Sequence, residues 1–263
     1  MKIMTSTREI NEPKSKKILK KIISLTGYKI TKIDNFNDKY NDFIAECSAN
    51  EKKDIDNAVK ISVTSRANLW SIIQSLKYIS NNNIAGDIVE CGVFRGGSLA
   101  IITKYVEKYS LKSKIFGFDT FEEGFLNAKL TKYDLTIKKK KLKLSSDNID
   151  NFHPTIDSVK KNIYHFTNKL PKNLKLIKGD VMNTLKKKEN IPKKISFLRL
   201  DTDLYITTKK ELEILYPKLV KGGILHIDDY GMFPGVRKAV DEYFINKKIW
   251  LHRVDLTCRL MIK

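Results

Sequence analysis

The chain has 263 residues, 41% of them hydrophobic, enough to bury one sizeable core with a small appendage. Its net charge of +20 would suit nucleic acid or an anionic surface, yet the densest basic run, TIKKKKLKL, lacks the interleaved aromatics of a single-strand platform. No run nears the roughly 20 apolar residues of a membrane span.

Lysine, asparagine and isoleucine are abundant together, a bias that needs no nucleic-acid partner, and none is expected. The lysines read either as a solvated face or as a site for an acidic substrate. MKIMTSTREINEPKSKK carries no signal-peptide core. Cys47, Cys91 and Cys258 fall at no disulfide or zinc spacing. A reduced, cytoplasmic protein is expected.

Residues 1–55 are polar and mixed, and read as a helical or irregular extension before a main domain at 56–263. Within the extension, SKKILKKIISLTG places Ile18, Leu19, Ile22 and Ile23 on one helical face. That face is expected to pack on its own domain or on a second subunit, the latter giving a homo-oligomer. SRANLWSIIQSLKYIS repeats the pattern with Leu69, Ile72, Ile73 and Leu76, and stops before the turn-forming NNNIAGD.

Strands and helices then alternate. DIVECGV, SKIFGFD, NLKLIKGD, ISFLRLD and GGILHIDD read as strands; SLAIITKYVEKYS, IDSVKKNIYHF and TTKKELEILYPKLV read as helices between them. Short apolar strands separated by longer helices predict an α/β fold, a parallel sheet covered on both faces. GVRKAVDEYFINKK follows as a helix with Val236, Val240 and Phe244 in register. IWLHRVD and CRLMIK then read as an antiparallel hairpin closing the sheet. The insert 126–151 has no period, carries the lysine run and follows the second strand at the ligand-binding edge. It reads as a lid or substrate loop, or as partly disordered.

The turn in DIVECGVFRGGS decides the ligand class. A dinucleotide fingerprint needs a second glycine where Phe94 stands, and no Walker lysine follows. The pattern Glu90, Gly92, Gly96, Ser98 suits a zwitterion instead: Ser98 and the N–H groups opening the helix for a carboxylate, Glu90 for an ammonium. Asp119 ends the second strand, 27 residues beyond Gly92, where a ribose diol is bound in such folds. Amino acid plus ribose points to S-adenosylmethionine. Asp180 at the third strand's edge either faces the adenine or is a turn aspartate.

Two further strands end in acids, Asp201 and Asp203, then Asp228 and Asp229. In a parallel sheet these tips are neighbours, and carboxylates gathered there need a cation or protons between them. Mg2+ is the natural partner, able to lower an alcohol's pKa and orient its oxygen. Helix capping accounts for each acid singly, best for Asp203, which precedes the helix expected near Thr207. His226 reads as a buried histidine rather than a base, and Tyr205 and Tyr230 lie near the acids.

The blocks GDIVECGVFRGGS, FGFDTFEEGF, LRLDTDLYITTKKELEILYPKLVKGGILHIDDYG and GVRKAVDEYF resemble the macrocin O-methyltransferase family, in order from about Ser62 to Phe244. The glycine-turn spacing is also that of the more distant catechol O-methyltransferase. The resemblance implies a Rossmann-like class I methyltransferase fold, a seven-stranded, mostly parallel sheet with an antiparallel last strand. It carries the carboxylate contact onto Ser98, the ribose contact onto Asp119 and the metal triad onto Asp201, Asp228 and Asp229, with Asp201 as the base. The activity implied is S-adenosylmethionine- and Mg2+-dependent O-methylation of a small-molecule or nucleotide-linked sugar, in surface-glycan or glycosylated natural-product biosynthesis. The alternatives are a phenolic acceptor and an RNA-binding methyltransferase. Leu204 stands where catechol-type enzymes carry a lysine, so no lysine base is expected. KISVTSR matches the family's donor-covering stretch only loosely, leaving roles for Ser62 and Thr64 open.

Overall fold

The computed structural model describes residues 44–124, 128–135, 140 and 154–263. The chain divides into two compact units, Met1–Ala45 and Glu46–Lys263, and the second holds the architecture that follows. The helix expected at Ile18–Ile23 and most of the 126–151 insert lie outside the described residues.

Helix α1 (Ala49–Ala58) starts at a capping box, in which Ser48 and Glu51 satisfy each other's backbone N–H groups. The domain boundary drawn at 55/56 from composition therefore falls inside a helix. In α2 (Arg66–Asn81), the Ser65 hydroxyl accepts from the Asn68 N–H at 3.1 Å, and the expected stripe of Leu69, Ile72, Ile73 and Leu76 is wholly buried.

The described strands form one sheet: β1 (Asp87–Cys91), β2 (Ile115–Asp119), β3 (Leu174–Lys178), β4 (Ile195–Leu200), β5 (Leu219–Ile227), β6 (His252–Arg253) and β7 (Arg259–Ile262). Their order is β3-β2-β1-β4-β5-β7-β6. The first five strands pair in parallel, and β7 runs opposite to both of its neighbours. Helices α3 (Gly97–Lys108), α4 (Ile156–Thr167), the single turn α5 (Val181–Thr184), α6 (Tyr205–Leu215) and α7 (Pro234–Phe244) complete the unit. Seven strands with a reversed last one are the expected class I methyltransferase architecture. No described helix is long and apolar enough to cross a membrane.

Alternation along the central strands assigns the two faces. Val89, Leu198, Leu200, Leu225 and Ile227 join Leu212 and Leu215 of α6 and Val236, Val240 and Phe244 of α7 in one core. The alternate residues, Glu90, Arg199 and His226 among them, face α2. Helix α6 stops earlier than its pattern suggested. A tight turn at Tyr216–Lys218, where Pro217 withdraws a backbone donor, lets β5 begin at Leu219. Connections leave β1 and β4 towards opposite sides of the sheet, so the crevice beyond their carboxyl ends is the topological switch point where such sheets bind ligands.

Candidate active site

The turn after β1 is built from three left-handed residues: Gly92 at φ 87°, Phe94 at φ 51° and Gly96 at φ 85°. Gly92 is demanded by space as well as by φ, since a Cβ there would lie 1.8 Å from the Asp201 carbonyl oxygen. The Asp201 N–H donates to the Cys91 carbonyl at 2.9 Å, and the Gly92 N–H to the Phe118 carbonyl at 2.8 Å. The turn is thus wedged between the tips of β2 and β4. A phenylalanine held at positive φ costs on the order of 1–3 kcal/mol, which the surrounding bonds offset. Gly96 opens α3 with no side-chain cap, so no side chain on the N-cap satisfies the helix's first N–H groups.

Asp119 is the staple of this turn. Its Oδ2 accepts from the N–H groups of Val93 (2.7 Å) and Phe94 (2.8 Å), and its Oδ1 from that of Phe121 (2.7 Å). Ser98 is 3% exposed in the first turn of α3. Glu90 is wholly buried; its Oε1 accepts from Arg199 at 3.0 Å, while its Oε2 has no partner among the described residues. Burial pushes its carboxyl up to about 7, against the pull of Arg199 and Ser98. Asp180 caps α5, accepting from the Met182 N–H at 2.8 Å, which is the work of a turn aspartate.

Asp201 and Asp203 follow β4, and Asp228 and Asp229 follow β5. Among the described residues, Asp201, Asp203 and Asp229 bring carboxylate oxygens within 4.8 Å of one another. Asp203 and Asp229 reach this cluster from left-handed backbone, at φ 63° and 61°. Asp228, expected in the cluster, continues the strand's alternation onto the α2 face. Its Oδ2 accepts from Arg199 at 2.6 Å and Asn68 at 2.9 Å, its Oδ1 from the Thr257 hydroxyl at 2.8 Å and the Asp229 N–H at 3.0 Å. Asp203, for which capping was the leading alternative, caps nothing at α6: that helix begins at Tyr205 with the buried Leu204 at its N-cap.

Withdrawal from bulk water, with like charge from neighbouring carboxylates, raises the proton affinity of all three cluster acids. Asp201 lies well above the usual carboxylate range despite Arg199, Asp203 is pushed up to about 6, and Asp229 is raised further with Asp203 beside it. A cation would relieve what protons otherwise must.

Sequence reasoning missed Arg199. Lying in β4, in register with Glu90 of β1 and His226 of β5, it is fully buried and donates to Glu90, Asp201 (2.6 Å), Asp228 and, at 3.4 Å, Thr64. The signal was an arginine between apolar residues in FLRLD. The loosely matched 60–66 stretch therefore does reach the site: Thr64 meets Arg199, and a Cβ on Gly97 would lie 2.5 Å from that of Ser62. His226 is buried as expected, 3.0 Å from the Ser71 hydroxyl and beside Cys258; burial and Arg199 lower its pKa to about 3, so it is neutral.

The tyrosines are engaged at their hydroxyls, Tyr205 donating to Glu242 at 2.6 Å and Tyr230 to Asp241 at 2.8 Å. Asp134, from the insert, was also missed. Its Oδ1 accepts from the Tyr205 N–H at 2.8 Å, capping α6 from outside, while its Oδ2 accepts from Thr131. A T-x-x-D turn in TKYD was the available signal.

The macrocin O-methyltransferase (TylF) family profile matches residues 4–262. The chain belongs to this family. It is 29% identical over 184 residues to the demethyldecarbamoylnovobiocin O-methyltransferase of Streptomyces niveus, covering 66% of this chain and 64% of that one. It is 27% identical to the mycinamicin III 3''-O-methyltransferase of Micromonospora griseorubida, covering 62% and 61%. The matches therefore span under two thirds of the length of either relative. Among solved structures, the O-methyltransferase NovP superposes with a TM-score of 0.62 at 22% identity, over 77% of this chain and 82% of that one. The calicheamicin methyltransferase CalS11 gives 0.61 at 18%, over 84% and 95%. These likenesses place the macrocin O-methyltransferase member in the class I fold.

Proposed function

We propose that the chain transfers the methyl group of S-adenosylmethionine to a sugar hydroxyl, with Mg2+ held at the acidic cluster. One observation carries this reading: the glycine turn and the cluster share a wall, because Gly92 lies against the backbone of Asp201. A donor on the turn and an acceptor at the cluster are then neighbours, and positioning supplies much of the rate.

On the donor side, Ser98 and the uncapped start of α3 suit a carboxylate, and the unpartnered Oε2 of Glu90 suits an ammonium. Asp119 has at most one acceptor position, on Oδ1, for a ribose hydroxyl while it staples the turn. Phe94 narrows the turn against a pyrophosphate, and Asp180, engaged as a cap, is left out of the donor site. The donor supplies an activated methyl group: its sulfur–carbon bond breaks as the carbon–oxygen bond forms.

The cluster fits a hard cation, since three carboxylates of raised proton affinity offer oxygen at close quarters. Asp201, Asp203 and Asp229 would hold it, and Asp228, fixed by Arg199, Asn68 and Thr257, backs them from the α2 face. When bound, Mg2+ would lower the hydroxyl's pKa and orient its oxygen. Asp201 accepts the hydroxyl proton and passes it to water.

A sugar acceptor is supported by the name of a third relative, 28% identical, from Streptomyces olivaceus: an 8-demethyl-8-(2,3-dimethoxy-alpha-L-rhamnosyl)-tetracenomycin-C 4'-O-methyltransferase. The acceptor class we favour is a small-molecule or nucleotide-linked sugar of surface-glycan or glycosylated natural-product biosynthesis, with the insert 126–151 as the substrate loop. Calorimetry with S-adenosylhomocysteine, and methylation of such sugars with and without a chelator, test the reading. Absent binding would sink the donor assignment; chelator-insensitive turnover would sink the metal alone.

A further inference from the structure

Among the described residues Arg199 heads the wholly buried side chains by volume, and it is a cation inside a sheet. An isolated buried guanidinium costs several kcal/mol, so its surroundings must answer for it. They do so from two directions at the fork, while Nε has no partner among the described residues. Nη1 serves Glu90 of the donor turn and Asp201 of the acidic cluster, while Nη2 serves Asp228 and Thr64. The cross-strand register of Glu90 with Arg199 aims the fork at both. A planar guanidinium can hold carboxylates on separate bearings, which the point charge of an ammonium cannot. In the donor half it occupies Oε1 of Glu90 and leaves Oε2 buried and unpartnered among the described residues.

We infer that Arg199 is a positioning residue that ties the donor half of the site to the cation half, so that the state of one half sets affinity in the other. The inference rests on the donor and cation assignments above. Arg199 touches neither reacting group; it acts through the carboxylates it orients.

The test uses the full chain, S-adenosylhomocysteine by calorimetry and Mn2+ by the resonance signal of the free ion. Arg199→Lys keeps the charge and loses the fork. With circular dichroism and melting confirming the fold, both affinities should fall about tenfold or more, the scale for partners that orient metal ligands. Loss of neither, or of one alone, overturns the tie. Glu90→Gln should weaken Mn2+ several-fold although Glu90 is outside the cluster, because a neutral amide holds Nη1 less strongly than a carboxylate and Asp201 is drawn further onto the guanidinium. Glu211→Gln is the control: Glu211 is a buried acid that also feels Asp201, but it bonds Thr202 and not Arg199. Equal effects of the two would mean that altering any buried acid near Asp201 weakens the cation and would overturn the tie, and this pair decides alone if Arg199→Lys does not fold. Wild-type protein that takes only one of the two probes overturns the assignment for the other, and the tie with it. Normal wild-type binding with indifferent variants overturns the tie only.

Discussion

Gly92 and Asp201 meet backbone to backbone: the Asp201 carbonyl occupies the place a side chain on Gly92 would need, 1.8 Å from the ideal Cβ. Two strands that are neighbours in the sheet thereby bring the glycine turn and the first acid of the cluster into direct contact. Gly92→Ala must both adopt φ 87° and displace β4. A loss of about 3 kcal/mol or more in urea unfolding is expected, together with loss of S-adenosylhomocysteine binding.

Asp119 separates a structural role from a ligand role. An amide in its place cannot accept from Val93 and Phe94 on one oxygen and from Phe121 on the other. Asp119→Asn should therefore destabilise the ligand-free protein by about 1–3 kcal/mol, the cost of unpaired buried donors. Chemical denaturation without ligand checks this. Unchanged stability with weakened binding would mean that the carboxylate serves the ribose alone.

The four strand-tip acids should divide into two behaviours. Asp203→Asn should weaken Mg2+ activation by at least tenfold with little change in S-adenosylhomocysteine affinity or melting temperature. Asp228→Asn removes the charged partner of a buried arginine and should cost about 3–5 kcal/mol of stability. Melting curves of the two variants side by side distinguish them; equal stability would return Asp228 to the cluster.

Glu211 makes the ligand-free protein pH-sensitive. Burial, opposed by the Thr202 hydroxyl, raises its carboxyl from 4.5 to about 8. Between those values the unfolded chain has released this proton and the folded chain has kept it, so the folded state binds more protons and stability falls as pH rises. Glu211→Gln should flatten that slope between pH 4.5 and 8 and raise stability at pH 8 by an amount on the order of a few kcal/mol. An unchanged slope across that window would refute the assignment.

Much of this was legible in the chain because it is local. Strand and helix periods and the misplaced glycines each lie within a dozen residues. What stayed hidden depends on register between distant segments. FLRLD reads as an apolar strand with one awkward arginine until β1 is laid beside it and Glu90 comes opposite. The choice between Asp203 and Asp228 likewise turned on the backbone at the strand tips, since Asp228 stays on the face that holds Arg199, while Asp203 and Asp229 turn into the cluster through left-handed residues. Parity was written in the sequence; the backbone reversals that override it at the strand tips were not.

The tie at Asp134 has an evolutionary reading. Among its described residues the insert meets α6 through the Asp134 carboxylate on the Tyr205 N–H and through Tyr133 against the Tyr205 ring, next to the acids but sharing none of their bonds. Residues on either side of that clasp can drift, lengthen or be exchanged without disturbing the cluster. A lineage could keep its transfer chemistry fixed and explore new acceptors by rewriting this loop alone.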